Sequence, residues 1–355
     1  MPDPGLKEQY RRHVRRKLLV GAGLLGLIAL AALLSLRTGA YPITFRDMLS
    51  ALAGRAETAT LHVFWNIRLP QAAAALLAGA CLGISGTAMQ NVLRNPLASP
   101  FTLGISQGAV FGAVFAIVVL GVGTAAVTAE AASAATSPHV IVACAFAGSL
   151  VTVAALAFLS SLRDLSPAAL ILAGVAISAF FGSATMLLQY FASDIQIASA
   201  VFWTFGDLKK ARWTELAVVA AVLVPAAAFF LWQGWHFNAM IWGDDTARSL
   251  GVNVRRLRLA ALVIAALAAS VTTAFMGIIG FVGLVGPHAV RMIMGQDHRF
   301  LFPYAALAGG LLLLVADLLA RTVMAPIVLP VGILTSFAGA PLFLHLLMKH
   351  RDIRS

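Results

Sequence analysis

The chain has 355 residues, of which 60% are apolar and only 11% are charged, with a net charge of +11. In soluble domains about a quarter of the residues are charged. This composition therefore excludes an ordinary cytosolic enzyme, a nucleic-acid-binding protein and a disordered regulator. A membrane helix uses about 20 apolar residues, and the chain is long enough for about ten of them. The sequence therefore predicts an all-α, polytopic membrane protein.

The chain begins with a basic segment over residues 1–17, followed directly by an apolar stretch over 18–36. This stretch is too long for the apolar core of a cleavable signal peptide, and no small-residue cleavage site precedes a polar start. We interpret it as the first membrane span. Cys81 and Cys144 both lie in apolar stretches and are interpreted as packing residues, not as a disulfide.

The other predicted spans follow in a single transmembrane domain over 18–348, with halves at about 18–191 and 213–348, a loop at 234–258 and a tail at 349–355. Their predicted ranges are 69–90, 97–121, 139–161, 167–191, 213–233, 257–278, 279–294, 301–322 and 327–348.

The distribution of basic residues predicts the orientation of these spans. With both termini inside, 17 of the 25 Lys and Arg residues fall on the cytoplasmic side, as is typical of membrane proteins. The weakest boundary lies between 278 and 279, because glycines recur there every third residue from Gly277 to Gly286. One broken helix at this point would leave nine spans and place the termini on opposite sides.

Two stretches of the chain resemble each other at an offset of 197 residues. GISGTAMQNVLR ends at Arg94, and GFVGLVGPHAVR ends at Arg291. Two halves of five spans each would have opposite topology, as is common in transporters. These matches indicate inverted five-helix repeats, although glycine is common enough for chance to explain them.

The sequence lacks the motifs of several chemistries. It contains no P-loop for phosphate binding and no His or Cys pattern with metal-ligand spacing. Asp244 and Asp245 are interpreted as first-turn residues of a short helix that Gly251 ends. Asp317 and Arg321 lie four residues apart and can form an ion pair near the outer boundary. Proton coupling through Asp317 is the alternative interpretation.

Two loops have distinctive content. In the loop at 234–258, Ala247 and Leu250 could form a small apolar face among arginines, either as a solvated loop or as a docking helix for a cytoplasmic partner. The outer segment 192–213 contains Trp203, Trp213 and the run GDLKK, which indicate an interfacial helix with aromatic anchors.

Several long motifs occur in an order that closely resembles one family of membrane proteins. They are NIRLPQAAAALLAGACLGISGTAMQNVLRNPLASPFTLGISQGA, GDDTARSLGVNVRRLR and GFVGLVGPHAVRMIMGQDHRFLFPYAALAGG. They resemble the permease subunits of type II ABC importers for iron chelates (siderophores or haem) and cobalamin. The resemblance covers about residues 18–348 and does not identify the cargo.

The resemblance implies a set of partners. Such permeases are homodimers of ten-helix chains in the bacterial inner membrane, with both termini in the cytoplasm. They bind two cytoplasmic ATPase subunits, which use ATP and Mg, and a periplasmic binding protein. The chain itself is expected to bind no cofactor or nucleic acid and to catalyse no reaction.

The resemblance also implies roles for individual residues. The coupling segment at 243–254 would contact the ATPase through Asp244, Asp245, Arg248 and Leu250, with Gly251 ending its helix. The cytoplasmic gate would involve Asn95 and Leu97 in one loop and Ser166 and Pro167 in another, where Pro167 replaces a small hydroxyl residue of relatives. Docking of the binding protein would use Arg68 and Arg321, whereas Gln71 stands where relatives often have a second arginine.

The central pathway of such permeases is lined by the fifth and tenth helices, here about 167–191 and 327–348. Candidate lining residues, which could equally be packing residues, are Phe180, Phe181, Met186, Gln189 and Tyr190. An iron chelate is the favoured cargo, with a corrinoid as the alternative. The leading alternative function is an ion-gradient-driven secondary transporter, which would need acids in the pathway. An integral-membrane enzyme would need a catalytic constellation, which the sequence does not show.

Overall fold

The computed structural model of the protein describes residues 4–39, 41–122, 138–162 and 166–351. Within these ranges every regular element is a helix, apart from one isolated bridge between Phe205 and Ile278. Residues 163–165, just before the predicted gate residues Ser166 and Pro167, and residues 352–355 of the predicted tail lie outside the described residues.

Seven helical segments are long and apolar enough to cross a membrane. They are carried by α1 (Pro4–Arg37), α4 (Leu69–Val92), α6 (Pro138–Leu162), α7 (Pro167–Tyr190), α9 (Trp213–Trp232), α12 (Val254–Met276) and α14 (His298–Thr322). Three more apolar helices, α5 (Ile105–Val118), α13 (Val282–Met294) and α15 (Val331–Arg351), match the remaining predicted spans. The chain is thus a multi-pass membrane protein, and the count of ten spans stays a prediction.

Five short helices connect the long ones. They are α2 (Phe45–Leu52), α3 (Thr58–Val63), α8 (Asp194–Thr204), α10 (Gly234–Ile241) and α11 (Asp244–Ser249). A π-helical turn at Phe64–Arg68 joins α3 to α4 without a break. The interfacial helix predicted in 192–213 corresponds to α8, which begins with a capping box formed by Ser193 and Gln196.

Helix α4 lies at the centre of the bundle and is buried along most of its length. Its close contact with α14 depends on glycine, because a Cβ at Gly79 would overlap the backbone of Gly309. A Cβ at Gly83 would likewise overlap the carbonyl of Ala305. Small residues let membrane helices approach closely enough for continuous van der Waals contact, so these positions set the α4–α14 distance.

The two similar stretches of the sequence contact each other. A Cβ at Gly86 would overlap the carbonyl of Gly283, and the Gln90 side chain donates to the same carbonyl at 3.3 Å. Arg291 in turn donates to the Gln90 Oε1 atom at 2.8 Å. The stretches thus meet at the core of the bundle, whereas an internal duplication remains a prediction.

The uncertain boundary at 278/279 is a separation between two helices. Helix α12 ends at Gly277, which has a φ of +77°, and α13 begins at Val282. The intervening backbone is held by the outer segment: Ile278 N donates to Thr204 O, and Asp207 N donates to Met276 O. The outer segment therefore satisfies backbone groups that the end of α12 exposes.

Candidate functional site

The predicted coupling segment forms a short exposed helix. Helix α11 follows Gly243, whose φ of +115° makes the turn, and ends before Gly251, whose φ is +83°. Leu250 is 67% exposed, whereas Ala247 is fully buried. The expectation that Ala247 shares an apolar outer face with Leu250 is therefore wrong, because Ala247 lies on the inner side of the helix and anchors it.

The two adjacent aspartates of this segment have different surroundings. The Asp245 side chain is 99% exposed and lies 3.4 Å from Arg248. The Asp244 carboxylate instead binds two arginines: Arg94 at 2.6 Å and Arg258 at 2.9 Å. Arg258 also donates from Nε to Val92 O at the end of α4. Asp244 thus connects α11 to α4 and α12, a role that sequence reasoning did not predict.

The first predicted gate loop begins next to this ion-pair cluster. Arg94 has a φ of +46°, an uncommon conformation for a residue with a side chain. Asn95 follows it and accepts a hydrogen bond from Leu97 N at 2.8 Å through Oδ1. This turn leaves Leu97 39% exposed. The gate loop and the coupling helix are therefore joined by the pair of Arg94 with Asp244.

The second predicted gate loop ends at the start of α7. Ser166 caps this helix by accepting a hydrogen bond from Ala169 N at 3.3 Å, and Pro167 is the first helical residue. Proline is well suited to this position because its missing N–H has no helical partner there. A proline in place of the small hydroxyl residue of relatives is thus compatible with a regular start of α7.

A polar cavity of about 620 Å³ lies beside the first gate loop. Arg94, Asn95 and Arg291 line it together with His288 of α13 and His298, the first residue of α14. His298 contacts Asn91 at 3.1 Å and Asn238 at 3.0 Å. These contacts hold α10 and α14 against the end of α4. His298 is therefore a structural residue that joins three helices.

The two arginines predicted to dock a binding protein are buried in the structure. Arg68 is 5% exposed and donates to Tyr41 O at 3.0 Å. Arg321 is 7% exposed and donates to Ser35 O, Ser35 Oγ and Thr38 O at the end of α1. Neither guanidinium is presented to a partner in this arrangement, because both satisfy backbone groups within the chain. Docking through these two side chains is therefore not supported by their burial.

The ion pair predicted between Asp317 and Arg321 is present at 2.8 Å. Gln71 donates to the other oxygen of the Asp317 carboxylate at 2.7 Å. This contact gives Gln71 a definite role at the position where relatives often have an arginine. The predicted ion pair is thus present, whereas proton coupling through Asp317 stays an untested alternative.

We expect Arg321→Met to destabilise the protein by roughly 3–5 kcal/mol, because removing one member of a buried pair leaves an unpaired charge. Thermal unfolding of the detergent-purified protein measures this effect. The double variant Asp317→Leu/Arg321→Met removes both charges and should recover much of the loss. A double variant as unstable as Arg321→Met would mean that the hydrogen bonds from Arg321 to the end of α1 matter more than the charge pair.

The predicted pathway helix α7 presents an exposed aromatic and apolar face. Phe180, Met186 and Tyr190 are 68%, 70% and 81% exposed, and Gln189 is half-buried. Phe181 is different, because it is only 6% exposed and its ring lies 5.4 Å from that of Phe111. Phe181 is therefore a packing residue between α5 and α7, and its prediction as a lining residue is not supported.

No group of three or more His, Cys, Asp or Glu residues that could hold a metal ion occurs in the part of the chain that the structure describes. Three other features of the described chain are candidates for function. They are an exposed coupling helix, an ion-pair connection to a loop, and an uncovered helix face.

The chain is similar to known proteins of one family. The FecCD transport family matches residues 27–349. The chain is 40% identical to the hemin transport system permease protein of Yersinia pestis, over 97% of this chain and 99% of that one. It is 37% identical to the cobalamin import system permease protein of Halobacterium salinarum, over 85% of this chain and 77% of that one.

A solved structure has a similar architecture. It is an inward-facing conformation of a proposed metal-chelate type ABC transporter, with a TM-score of 0.79 and 30% sequence identity. The match covers 92% of this chain and 98% of the other.

Proposed function

The chain belongs to the FecCD transport family and is a permease subunit of an ABC importer, and from this premise we propose that it carries an iron chelate across the bacterial inner membrane. In this proposal two copies form the pathway, two cytoplasmic ATPase subunits drive it, and a periplasmic binding protein delivers the cargo. Both termini lie in the cytoplasm.

The observation that carries the proposal is the exposed coupling helix α11. It leaves the side chains of Asp245, Arg248 and Leu250 exposed, while Ala247 and Asp244 fix it to the bundle. Protein interfaces typically have an apolar centre and a polar rim, and Leu250 with the flanking charges of Asp245 and Arg248 fits this pattern. We assign this surface to the ATPase, which supplies the hydrolytic chemistry that the permease sequence lacks.

The exposed face of α7 supports the assignment of the pathway. Aromatic residues there, and Phe337 on α15 at 82% exposure, are uncovered in the single chain. Burying such a face against a second copy would stabilise a dimer. The remaining rings could stack on a planar porphyrin, and the relative named as a hemin permease supports haem as the first cargo to test. A ferric siderophore or a corrinoid remains the alternative.

The mechanism that follows is alternating access. ATP binding draws the ATPases together and moves α11, and the Asp244–Arg94 pair transmits this movement to the loop at Asn95 and Leu97. The gate then opens or closes as the packed helices tilt. The chain forms and breaks no covalent bond, and its glycine contacts between α4 and α14 keep the core rigid while other helices move.

Uptake by proteoliposomes tests the proposal. Vesicles containing this permease and its ATPase would receive the binding protein together with hemin, ferric siderophores or cobalamin, with and without internal ATP. We expect ATP-dependent accumulation of one iron chelate. Accumulation of cobalamin alone would correct the cargo, whereas uptake driven by an imposed proton gradient without the ATPase would contradict the proposed mechanism.

A further inference from the structure

An apolar groove of about 690 Å³ lies between α1, α13 and α14. Small residues open it, because no atom lies within 4 Å of a Cβ placed on Gly23. The lining includes Val20, Gly23 and Leu27 of α1, Ile293 of α13, and Tyr304 and Leu312 of α14.

The groove lies on the outer surface of the helix bundle. On α1, Leu25, Leu27 and Leu30 are each more than half exposed, as expected of a helix in contact with lipid. The N-terminal half of α1 approaches α14 where the Tyr304 hydroxyl donates to Lys17 O at 3.1 Å. An apolar cavity open to a bilayer is filled by hydrocarbon, since an empty cavity would lose dispersion contacts.

The end of the groove nearest the N-terminus is basic. Arg12 and Arg16 precede Val20 at helical intervals of four residues, so they lie on the side of α1 that lines the groove. Both arginines are exposed, and Arg12 forms an exposed pair with Glu8 at 3.6 Å. The same face of one helix thus offers cationic groups beside an apolar channel.

Lys17, next to these arginines, is already neutralised within the chain. It is buried, lies 3.7 Å from the Asp297 carboxylate and stands over the Phe300 ring at 4.5 Å. Burial raises the pKa of Asp297, but hydrogen bonds from Arg299 and Asn238 outweigh burial and hold this pKa below its usual value. Asp297 is therefore ionised, and the cationic charge left for a ligand is that of the arginines.

We propose that the groove binds an anionic phospholipid, with an acyl chain between α1, α13 and α14 and the phosphate at Arg16 and Arg12. The apolar lining selects hydrocarbon and the arginines select a negative headgroup. Arginine suits a phosphate because its planar guanidinium can donate two parallel hydrogen bonds. The bound lipid would fill the space that Gly23 leaves between α1 and the bundle.

Native mass spectrometry of the detergent-purified permease tests this proposal, with equal amounts of phosphatidylglycerol and phosphatidylcholine added. We expect the wild-type protein to retain phosphatidylglycerol preferentially. Gly23→Trp should reduce lipid occupancy at least fivefold, because the indole would fill the groove. Gly26→Trp is the matched control: its position is equally open but does not line the groove.

A second pair of variants tests the headgroup. Arg16→Gln should lower the preference for phosphatidylglycerol about fivefold, the effect of one basic residue near an anionic lipid. Arg15→Gln, one residue away on a different face of α1, should leave it unchanged. Equal occupancy in Gly23→Trp and wild type, equal effects of the two arginine variants, or a change in subunit stoichiometry with Gly23→Trp would each overturn the proposal.

Discussion

Replacing Leu250 by arginine is expected to abolish ATP-dependent uptake by the reconstituted importer. Leu250 is 67% exposed at the end of α11, so the substitution should leave the permease folded. At the proposed interface it would remove an apolar contact and bury an unpaired charge, which we expect to cost about 2 kcal/mol or more, as at an interface hot spot. This corresponds to roughly 30-fold weaker binding of the ATPase, measured by co-purification and by titration of the permease with ATPase.

A leucine far from the proposed interface provides the control. Leu52 is 60% exposed on α2, in the segment predicted to lie on the outer side, so Leu52→Arg adds the same charge without approaching the ATPase. We expect this variant to co-purify with the ATPase as the wild type does. Undiminished ATPase binding by Leu250→Arg would contradict the assignment of α11 as the coupling helix.

Much of the architecture was predictable from the sequence because a bilayer imposes strong constraints on composition and length. The apolar stretch at 213–233 corresponds to α9, and that at 167–191 corresponds to α7. The glycine spacing correctly indicated a weak point near 278, but hydropathy could not show whether the chain continued or turned there. That turn depends on hydrogen bonds to Thr204 and Asp207, which lie about 70 residues away.

The site was less predictable because exposure and pairing are tertiary properties. The family resemblance implied that Arg321 would dock a binding protein, yet its guanidinium binds the end of α1. Similarly, Phe180 and Phe181 are adjacent and chemically alike, but only Phe181 packs against Phe111. A helix places neighbours about 100° apart, and the sequence did not indicate which direction faces the core.

The two adjacent aspartates of α11 also differ in exposure and pairing in a way that the sequence did not indicate. They therefore allow a sharp test of whether movement of α11 is passed to the gate loop. Both occupy the first turn, where carboxylates favour the helix dipole, and the family resemblance assigned both to the ATPase. The structure distinguishes them, because the Asp244 side chain is 25% exposed and that of Asp245 is 99% exposed. Only Asp244 connects the coupling helix to Arg94, the residue before the predicted gate loop.

We expect Asp244→Ala to reduce uptake at least tenfold while the ATPase still binds and hydrolyses ATP. The variant loses hydrogen bonds between charged groups, each contributing about 1.5–3 kcal/mol, so movement of α11 would no longer displace the gate loop. Asp245→Ala, the matched variant, keeps the Asp244–Arg94 pair, so any loss of uptake should be accompanied by an equal loss of ATPase binding and hydrolysis. Uptake and ATP hydrolysis measured in the same proteoliposomes separate transmission from docking.

The outcomes for Asp244→Ala distinguish two roles of one carboxylate. If the variant no longer binds the ATPase although its thermal stability is unchanged, Asp244 is a docking residue as the resemblance implied. If it transports as the wild type does, the Asp244–Arg94 pair transmits nothing. Arg94→Ala provides an independent check, because it breaks the same pair from the gate side and leaves the whole surface of α11 intact. Loss of uptake with retained ATPase activity in both variants is the result expected of a mechanical connection between the coupling helix and the gate.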